Sequence, residues 1–205
     1  MYISLNNVGK RFNREWIFRH FTYQFTLGNS YAIIGSNGSG KSTLMQVLAG
    51  ATMQSEGKIE WQLYNTIQND QNKNAYQQIS IAAPYLDLIE ELTASEFLYF
   101  HNSFKPLTLP VPDVLHIVGL YAAAQKQIRY FSSGMKQRLK LAQAFFSDTK
   151  ILLLDEPTTN LDTEGIALYN LLLEQYCKNK LVVISSNELN EYKTCKEIIN
   201  LIHYK

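Results

Sequence analysis

The sequence predicts an α/β fold with a mainly parallel sheet core, an N-terminal antiparallel β subdomain and a helical subdomain inserted into the sheet. Short apolar runs typical of buried strands alternate along the chain with segments of helical composition, an order typical of a parallel sheet. A glycine-rich loop joins the apolar run 31–34 to a helical segment, and another apolar run ends in two acids at positions 155 and 156. Functional side chains usually lie at the carboxyl ends of parallel strands, so both places are candidate sites.

The N-terminal elements lead up to the glycine-rich loop. Apolar and polar residues alternate over residues 2–8 and 21–27, which predicts two half-buried antiparallel strands. Residues 31–34 form a compact apolar run, which predicts a buried strand. After the loop, residues 42–48 have helical composition, and Gly50 is placed to end that helix.

The middle of the chain predicts a connection, a strand and a helical insertion. The Asn- and Gln-rich stretch 62–78 shows little periodicity, so we expect an exposed connection or hairpin before a strand over residues 79–83. Thr93 and Glu96 match a capping box, which predicts a helix from there to about residue 101. The helical subdomain is expected over residues 93–150, approximately.

Prolines punctuate this insertion. Those at positions 106, 110 and 112 are expected to end the capped helix before a second helical region over residues 113–120. The same patterns predict the remaining elements, which are a helix over 134–146, a strand over 151–154, a helix over 163–177 and strands over 181–185 and 198–202.

Length and composition limit the kind of protein. The 205 residues fit one domain, 1–205, with a sizeable core. A formal net charge of +1 argues against bulk electrostatic binding, so no nucleic-acid partner is expected. The apolar runs are far shorter than the roughly 18 residues of a membrane span, and the first residues lack a secretory signal. A reducing cytoplasm is therefore expected, with Cys177 and Cys195 as ordinary packing residues.

The glycine-rich loop satisfies the phosphate-loop pattern in the strand, loop and helix context that the pattern requires. Its glycines let backbone N–H groups point at phosphate oxygens, and the helix directs its positive dipole end at the anion. Lys41 is expected to reach the terminal phosphates, and the Ser42 hydroxyl to ligate magnesium. The residues predicted to bind nucleotide here are Gly35, Ser36, Asn37, Gly38, Ser39, Gly40, Lys41, Ser42 and Thr43.

The acidic pair ends a strand that is predicted to be fully buried. Carboxylates at the carboxyl edge of a parallel sheet face the nucleotide crevice, so Asp155 fits a magnesium ligand and Glu156 fits activation of water. Charged residues commonly end strands, and in isolation the pair would favour that simple interpretation. The phosphate loop earlier in the chain favours the catalytic one.

Two further motifs resemble those of the ATP-binding cassette family. Residues 155–162 read DEPTTNLD and resemble its Walker B motif running into its D-loop, which contains Asp162. Residues 131–135 read FSSGM and resemble the family signature LSGGQ, just before a helix and ahead of Walker B. Alone, a Ser-Ser-Gly run would be a turn or helix cap, but the order and spacing favour the signature. The resemblance covers nearly the whole chain.

The resemblance implies a P-loop NTPase cassette that binds and hydrolyses ATP with Mg²⁺ as the subunit of a transporter. Lys41 and Glu156 would be catalytic, and Ser42 and Asp155 would hold the metal. A second cassette, in a homodimer or a heterodimer, would present its ATP to the signature. The implied signature residues are Ser132, Ser133, Gly134 and Met135.

The resemblance also implies membrane partners and an adenine contact. Transport would take place in integral membrane transporter subunits, with this chain in the cytoplasm, peripheral on the cytoplasmic face of a membrane. Residues 86–92 would be the docking surface for those subunits, although a solvated acidic loop is the competing interpretation. Phe12 occupies the place where the family stacks an aromatic ring on adenine, and Trp16 is close enough to compete.

The chain departs from the family at two positions that usually assist hydrolysis. Where the family carries Gln after the strand over residues 79–83, this chain reads Pro84-Tyr85, and Gln77 and Gln78 precede that strand. At the switch position, where a His normally touches the terminal phosphate, Asn187 can donate a hydrogen bond but cannot titrate near neutral pH.

The signature departs as well, because Ser133 replaces a glycine and Met135 replaces the glutamine, so its polar grip on the partner nucleotide is expected to be weaker. We therefore expect hydrolysis that is slower and depends more on assembly. Two alternatives stay open, namely an ATP-gated signalling subunit that hardly turns over, and a soluble cassette ATPase acting on nucleic acid or the ribosome.

Overall fold

Residues 1–62 and 75–205 are described by the computed structural model, and they form two sheets with helices around them. The smaller sheet is antiparallel. It contains β1 (Tyr2–Phe12), β2 (Glu15–Thr26) and β4 (Glu56–Gln62), in the order β2-β1-β4. The antiparallel pairing confirms the prediction for the first two strands, although β1 ends later than predicted and β2 begins earlier and ends one residue sooner.

The larger sheet is parallel throughout, in the order β5-β6-β7-β3-β8. This confirms the predicted parallel core. All strands point the same way, so their carboxyl ends meet at one edge. Its strands are β3 (Ser30–Ile34), β5 (Ile79–Ala82), β6 (Ile151–Asp155), β7 (Leu181–Ser185) and β8 (Glu197–Asn200).

The helices follow the strands in the order that the sequence predicts, except for the short α6, which was not predicted. Three of them, α2 to α4, lie between β5 and β6, where the helical subdomain is expected. Their bounds, with those of the others, are α1 (Lys41–Leu48), α2 (Ala94–Phe104), α3 (Val111–Ile117), α4 (Ser133–Phe146), α5 (Thr163–Tyr176) and α6 (Leu189–Tyr192). No helix among the described residues is long and apolar enough to cross a bilayer.

The two faces of the parallel sheet pack into separate cores. Side chains alternate between faces along a strand, so Leu152 and Leu154 of β6 join the cluster formed with α2 to α5. Leu153 points the other way, into the cluster that contains α1 and the antiparallel sheet. All three are fully buried. The fold therefore holds β6, which ends in the acidic pair, from both sides.

Local signals explain most boundaries, and the exceptions have physical reasons. The capping box is confirmed, since the Thr93 N–H donates to Glu96 Oε2 (2.8 Å) and the Glu96 N–H donates to Thr93 Oγ1 (3.2 Å). The capped helix ends before the prolines as predicted, but the prediction that Pro112 precedes the second helical region was wrong. Pro112 lies in the first turn of α3, where its missing N–H costs no hydrogen bond.

Three other boundaries differ from the sequence predictions. Strand β4 was missed, because only Ile59 of its seven residues is buried and no alternation shows. The last strand ends at Asn200, and residues 201–204 form a 3₁₀ turn instead of continuing it. Of the stretch 62–78, residues 75–78 form another 3₁₀ turn, and residues 63–74 lie outside the described part of the chain.

Candidate functional site

The phosphate loop runs from the end of β3 to the start of α1. Gly38 and Gly40 have φ angles of 76° and 101°, in the region that glycine adopts without strain. A Cβ on Gly40 would lie 2.4 Å from Ile17 Cγ2. Gly40 is therefore needed both for its backbone conformation and for the close approach of β2.

Lys41 opens α1 and is only 5% exposed. Its Nζ donates to the carbonyl oxygens of Gly35 (2.7 Å) and Ser36 (3.5 Å), so the ammonium lies inside the curl of the loop. Backbone N–H groups at the start of α1 and this ammonium supply positive charge in one small space. The arrangement suits an anion with several oxygens.

A cavity of about 260 Å³ lies over the loop. It brings together most of the residues that the sequence predicts to bind nucleotide, and it adds the predicted base from the end of β6. Ile17 also lines the cavity, although the sequence gave no signal for it, since an apolar residue in a β strand is normally a packing residue. The lining residues are Ile17, Asn37, Gly38, Ser39, Gly40, Lys41, Ser42, Thr43 and Glu156.

Asp155 ends β6 and is 1% exposed. Neither carboxylate oxygen has a hydrogen-bond partner among the residues that the structure describes. Burial of an unpaired carboxylate is costly, and a cation removes that cost. A hard divalent cation with oxygen ligands, such as Mg²⁺, fits this group, with the Ser42 hydroxyl in the first turn of α1 as the predicted second oxygen.

Glu156 follows in an unusual backbone conformation. Its φ angle is +44°, a region that costs about 1–3 kcal/mol for a residue with a side chain. Its N–H donates to the carbonyl of Ser185 at the end of β7 (2.8 Å), and its own carbonyl accepts from the Thr159 N–H (3.2 Å). These bonds turn the chain sharply, so that the carboxylate faces the cavity and does not continue the strand.

Tyr85 follows Pro84, which stands where the family carries Gln, and it lies near the cation site. Its side chain hydrogen-bonds to Gln46 of α1, and the charge of Asp155 acts on it. Burial raises the pKa of Tyr85 and the Asp155 charge raises it further, while the bond to Gln46 opposes the rise. The carbonyl of Pro84 accepts from Lys140 Nζ (3.1 Å). The phenol of Tyr85 is thus the side chain near the cation site, where the family has the amide of a glutamine.

Gln77 and Gln78 lie at the opposite edge of the sheet. They precede β5, whose first residue, Ile79, pairs with Ile151, while its last, Ala82, pairs with Leu154 next to the acidic pair. Neither glutamine is therefore placed to reach the cation site. The Gln77 amide donates instead to the hydroxyl of Tyr76 (3.4 Å).

Asn187 follows β7 and contacts the phosphate loop. Its Nδ2 atom donates to Asn37 Oδ1 (2.9 Å), and the side chain is exposed. The switch position is therefore tied to the loop through two amides. Neither amide can exchange a proton near neutral pH.

The signature residues lie at the start of α4, as predicted. Ser132 is the N-cap, and its Oγ accepts from the Met135 N–H (3.2 Å). A second cavity, of about 520 Å³, opens over this helix start and shares no residue with the first. Its lining residues are Gly119, Leu120, Ala122, Ala123, Ser132, Ser133, Gly134, Met135, Arg138, Asn160 and Asp162.

Asp162 joins this second cavity to α5. Its carboxylate caps that helix by accepting from the Gly165 N–H (2.8 Å), and it accepts from Arg138 Nη2 of α4 (3.0 Å). The bond from Gly165 and the one from Arg138 hold the pKa of Asp162 below its usual value. The D-loop position is thus fixed against the signature helix.

Phe12 and Trp16 lie beside the loop that joins β1 to β2, and neither lines the phosphate-loop cavity. The Phe12 ring is 49% exposed, with Lys10 Nζ 4.8 Å from its centroid. The guanidinium groups of Arg11 and Arg19 cover the Trp16 ring, at 5.5 and 4.1 Å. Exposure leaves the Phe12 ring open to a planar ligand although Lys10 lies over it, whereas two guanidinium groups contact the Trp16 ring.

A strand, a glycine-rich loop and a helix follow one another here, and a buried strand that ends in two acids lies beside them. This arrangement defines the class of phosphate-loop nucleotide-binding proteins. The family model described as ABC transporter matches residues 18–159. The chain belongs to this family, whose members carry ATP-binding domains that are generally ATPases. Its described fold is that of an ABC nucleotide-binding domain.

Relatives agree with that assignment. The chain is 30% identical to the ABC transporter ATP-binding protein YybJ of Bacillus subtilis over 90% of its own length and 85% of that protein. It is 29% identical to the Nod factor export ATP-binding protein I of Rhizobium johnstonii, over 92% of its own length and 62% of that protein. It superposes with a TM-score of 0.81 on a dimeric post-hydrolysis structure of the cassette MJ0796 bound to ADP and Pi, at 23% identity, covering 97% of this chain and 93% of that one.

Proposed function

We propose that this chain binds and hydrolyses Mg-ATP as the cassette subunit of a transporter, and that ATP-driven closure of two cassettes moves separate membrane subunits. The observation that carries the proposal is Asp155, a buried carboxylate without a hydrogen-bond partner in the described residues, whose neighbour Glu156 lines the same cavity as the buried Lys41. A negative group that needs a cation and a positive group that needs an anion together fit a metal-bound nucleotide.

Each part of the nucleotide has a proposed position. The loop N–H groups and Lys41 bind the phosphates, and Asp155 and the Ser42 hydroxyl hold Mg²⁺. The ion, when bound, neutralises charge on the phosphate oxygens. Glu156 lines the same cavity and orients the attacking water as its base. The exposed ring of Phe12 stacks on the adenine.

Dimer closure is supported by the separation of the two cavities. The signature cavity has an anion-binding helix start but neither the lysine nor the acidic pair of the other cavity. A second copy of this chain, or a different cassette, completes each site by placing its signature over the bound nucleotide. The solved cassette on which this chain superposes is itself dimeric with ADP and Pi bound.

Coupling to the membrane is proposed through residues 86–92. Ile89 is 42% exposed there, and the two acids that follow it already pair within the chain, Glu90 with Lys136 and Glu91 with Arg129 (3.8 Å). A partner surface would contact the exposed Ile89 side chain and two acids whose charges are already paired within the chain. The name of one relative, Nod factor export ATP-binding protein I, describes transport, and a membrane subunit of a transporter is the partner proposed for this chain.

A second candidate function is ATP-gated signalling with little turnover. It is favoured by Tyr85 and Asn187, which stand where a glutamine and a histidine usually assist hydrolysis. The two functions differ in one measurable quantity. Steady phosphate release by the assembled complex supports transport-coupled hydrolysis, and ATP-dependent dimerisation without such release supports signalling.

A signature variant tests the proposed dimer. In Ser132→Arg the arginine side chain occupies the space at the start of α4, where the partner nucleotide would bind. We therefore expect the monomer to bind Mg-ATP as wild type does. ATP-dependent dimerisation and phosphate release should be lost. Thr194→Arg, exposed near the start of β8, is the matched control and should behave as wild type. Native mass measurement with ATP checks the dimer. Wild-type dimerisation and phosphate release by Ser132→Arg would overturn the two-cassette site.

A further inference from the structure

The peptide group between Pro157 and Thr158, immediately beyond Glu156, is held on both sides by buried side chains. Its carbonyl oxygen accepts from Gln137 Nε2 (2.7 Å), and its N–H donates to Glu191 Oε1 (2.7 Å). The Thr158 hydroxyl donates to the same carboxylate oxygen. Rotation of this peptide plane would break the bonds on both sides together.

Both side chains are buried, and Glu191 is also anchored through its main chain. Gln137 is 4% exposed and Glu191 is 3% exposed. The main-chain carbonyl of Glu191 accepts from the hydroxyl of Tyr169, a fully buried residue of α5 (2.8 Å). Buried hydrogen bonds of this kind are expensive to break, because water does not replace them. The clamp formed by Gln137 and Glu191 is therefore rigid.

The clamp completes the constraints on the turn that carries Glu156. Upstream, the Glu156 N–H is bound to the end of β7, and its carbonyl accepts from Thr159. The proline ring of Pro157 fixes the next φ angle. With the following peptide plane also fixed, the chain cannot relax from the positive φ angle of Glu156, which an unconstrained residue of this type rarely adopts.

The two arms come from elements that belong to different parts of the proposed site. Gln137 lies one turn into α4, whose first residues form the signature cavity. Glu191 lies in α6, which follows the switch position. A shift of α4 when a partner nucleotide binds its start would move the Pro157 carbonyl, and with it the turn that presents Glu156.

We infer that Gln137 and Glu191 are positioning residues for ATP hydrolysis, which fix the peptide after Glu156 so that its carboxylate meets the attacking water. This inference rests on the proposed function, since it requires Glu156 as the base. Neither residue contacts the phosphate-loop cavity, so neither is needed to bind nucleotide. Misplacement of a reacting group by about 1 Å costs about 10²-fold in rate.

The test uses variants of the full chain that delete one arm each. Gln137→Met and Glu191→Met keep similar size but cannot form the bonds to the clamped peptide. Glu191→Gln keeps an acceptor for the Thr158 N–H and serves as the conservative variant. Thr149→Val is the matched control, because Thr149 is 3% exposed and its hydroxyl bonds to Ser80 Oγ (2.9 Å), away from the turn.

Three readouts are compared. We expect the two methionine variants to bind Mg-ATP within about twofold of wild type while phosphate release falls about 10²-fold. Amide exchange over residues 156–161 should become faster in both. Thr149→Val and Glu191→Gln should keep wild-type exchange and release. A loss of stability alone would reduce binding and release together, and would also affect Thr149→Val.

Failure of this inference is distinguishable from failure of the proposed function. If Glu156→Gln is inactive and folded Gln137→Met releases phosphate at the wild-type rate, the positioning role is wrong and the base assignment stands. If Glu156→Gln itself releases phosphate at the wild-type rate, the proposed function fails and the inference fails with it. Should Glu191→Met not fold, Gln137→Met decides the result alone.

Discussion

The side-chain amide of Asn187 donates a hydrogen bond of 2.9 Å to Asn37 Oδ1 in the phosphate loop. The end of β7 is thereby joined to the loop that is proposed to bind the terminal phosphates. A polar side chain at this position can interact with a bound nucleotide. An amide, however, can neither take up nor release a proton near neutral pH.

Asn187→His should raise ATP turnover. An imidazole at this place can donate to the terminal phosphate and titrates near neutral pH. We expect steady phosphate release to increase about 2- to 10-fold, the equivalent of one added hydrogen bond. Asn190→His, an exposed change in α6, is the control and should leave the rate unchanged. An unchanged or lower rate in Asn187→His would show that the switch position does not limit hydrolysis.

Tyr85→Gln should improve the use of Mg²⁺. A phenol is neutral near neutral pH, and burial and the charge of Asp155 raise the pKa of Tyr85 further, so it is a poor ligand for a metal ion or its bound water. A glutamine amide offers a carbonyl oxygen in its place. We expect half-maximal ATP hydrolysis at about 2- to 10-fold lower Mg²⁺.

The control for this variant is Tyr76→Gln, which changes an exposed tyrosine in the 3₁₀ turn before β5. It should keep the wild-type Mg²⁺ dependence. Titration of phosphate release against Mg²⁺ checks both variants. If Tyr85→Gln and Tyr76→Gln give the same curve, Tyr85 does not act at the cation site.

His101 should make stability depend on pH. Burial lowers the pKa of its ring from 6.5 to about 4, with the charge of Lys105 acting in the same direction, and the ring Nε2 lies 2.8 Å from Ser147 Oγ. The unfolded chain therefore binds a proton between about pH 6.5 and pH 4 that the folded chain excludes. This contribution to stability is complete above pH 6.5 and is lost as the pH falls towards 4.

Denaturant unfolding between pH 7 and 4.5 measures this effect. His101→Gln should show a shallower fall in the free energy of unfolding than wild type, because it lacks the proton uptake. His203→Gln, a change at an exposed histidine, should keep the wild-type slope. Equal slopes for wild type and His101→Gln would contradict the assignment.

Local signals in the sequence were enough to predict the fold class, the phosphate loop and the buried strand that ends in the acidic pair. The phosphate loop is a contiguous pattern, and the buried strand β6 shows as a run of apolar residues before Asp155. Strand β4 left no such signal, because it depends on long-range pairing with β1, where Ile59 lies opposite Leu5. Residues that pair across a sheet need not carry a pattern of their own.

The contacts that set the site could not be predicted, because they join residues far apart in sequence. Ile17 meets the phosphate loop only after β2 folds over α1. The interaction of Tyr85 with Asp155 requires β5 and β6 to lie side by side. Gln137 and Glu191 bind the same peptide group from two different helices. Gln137 lies in α4, which precedes β6 in the sequence, and Glu191 lies in α6, which follows β7.

Phosphate release by Glu156→Gln, measured with Mg-ATP binding on the same sample, tests the central claim most directly. Glu164→Gln, which changes an exposed acid in the first turn of α5, is the control and should match wild type. We expect Glu156→Gln to bind Mg-ATP normally and to release phosphate about 10²- to 10⁴-fold more slowly, the loss typical of a removed general base. Wild-type phosphate release by Glu156→Gln would contradict ATP hydrolysis at this site.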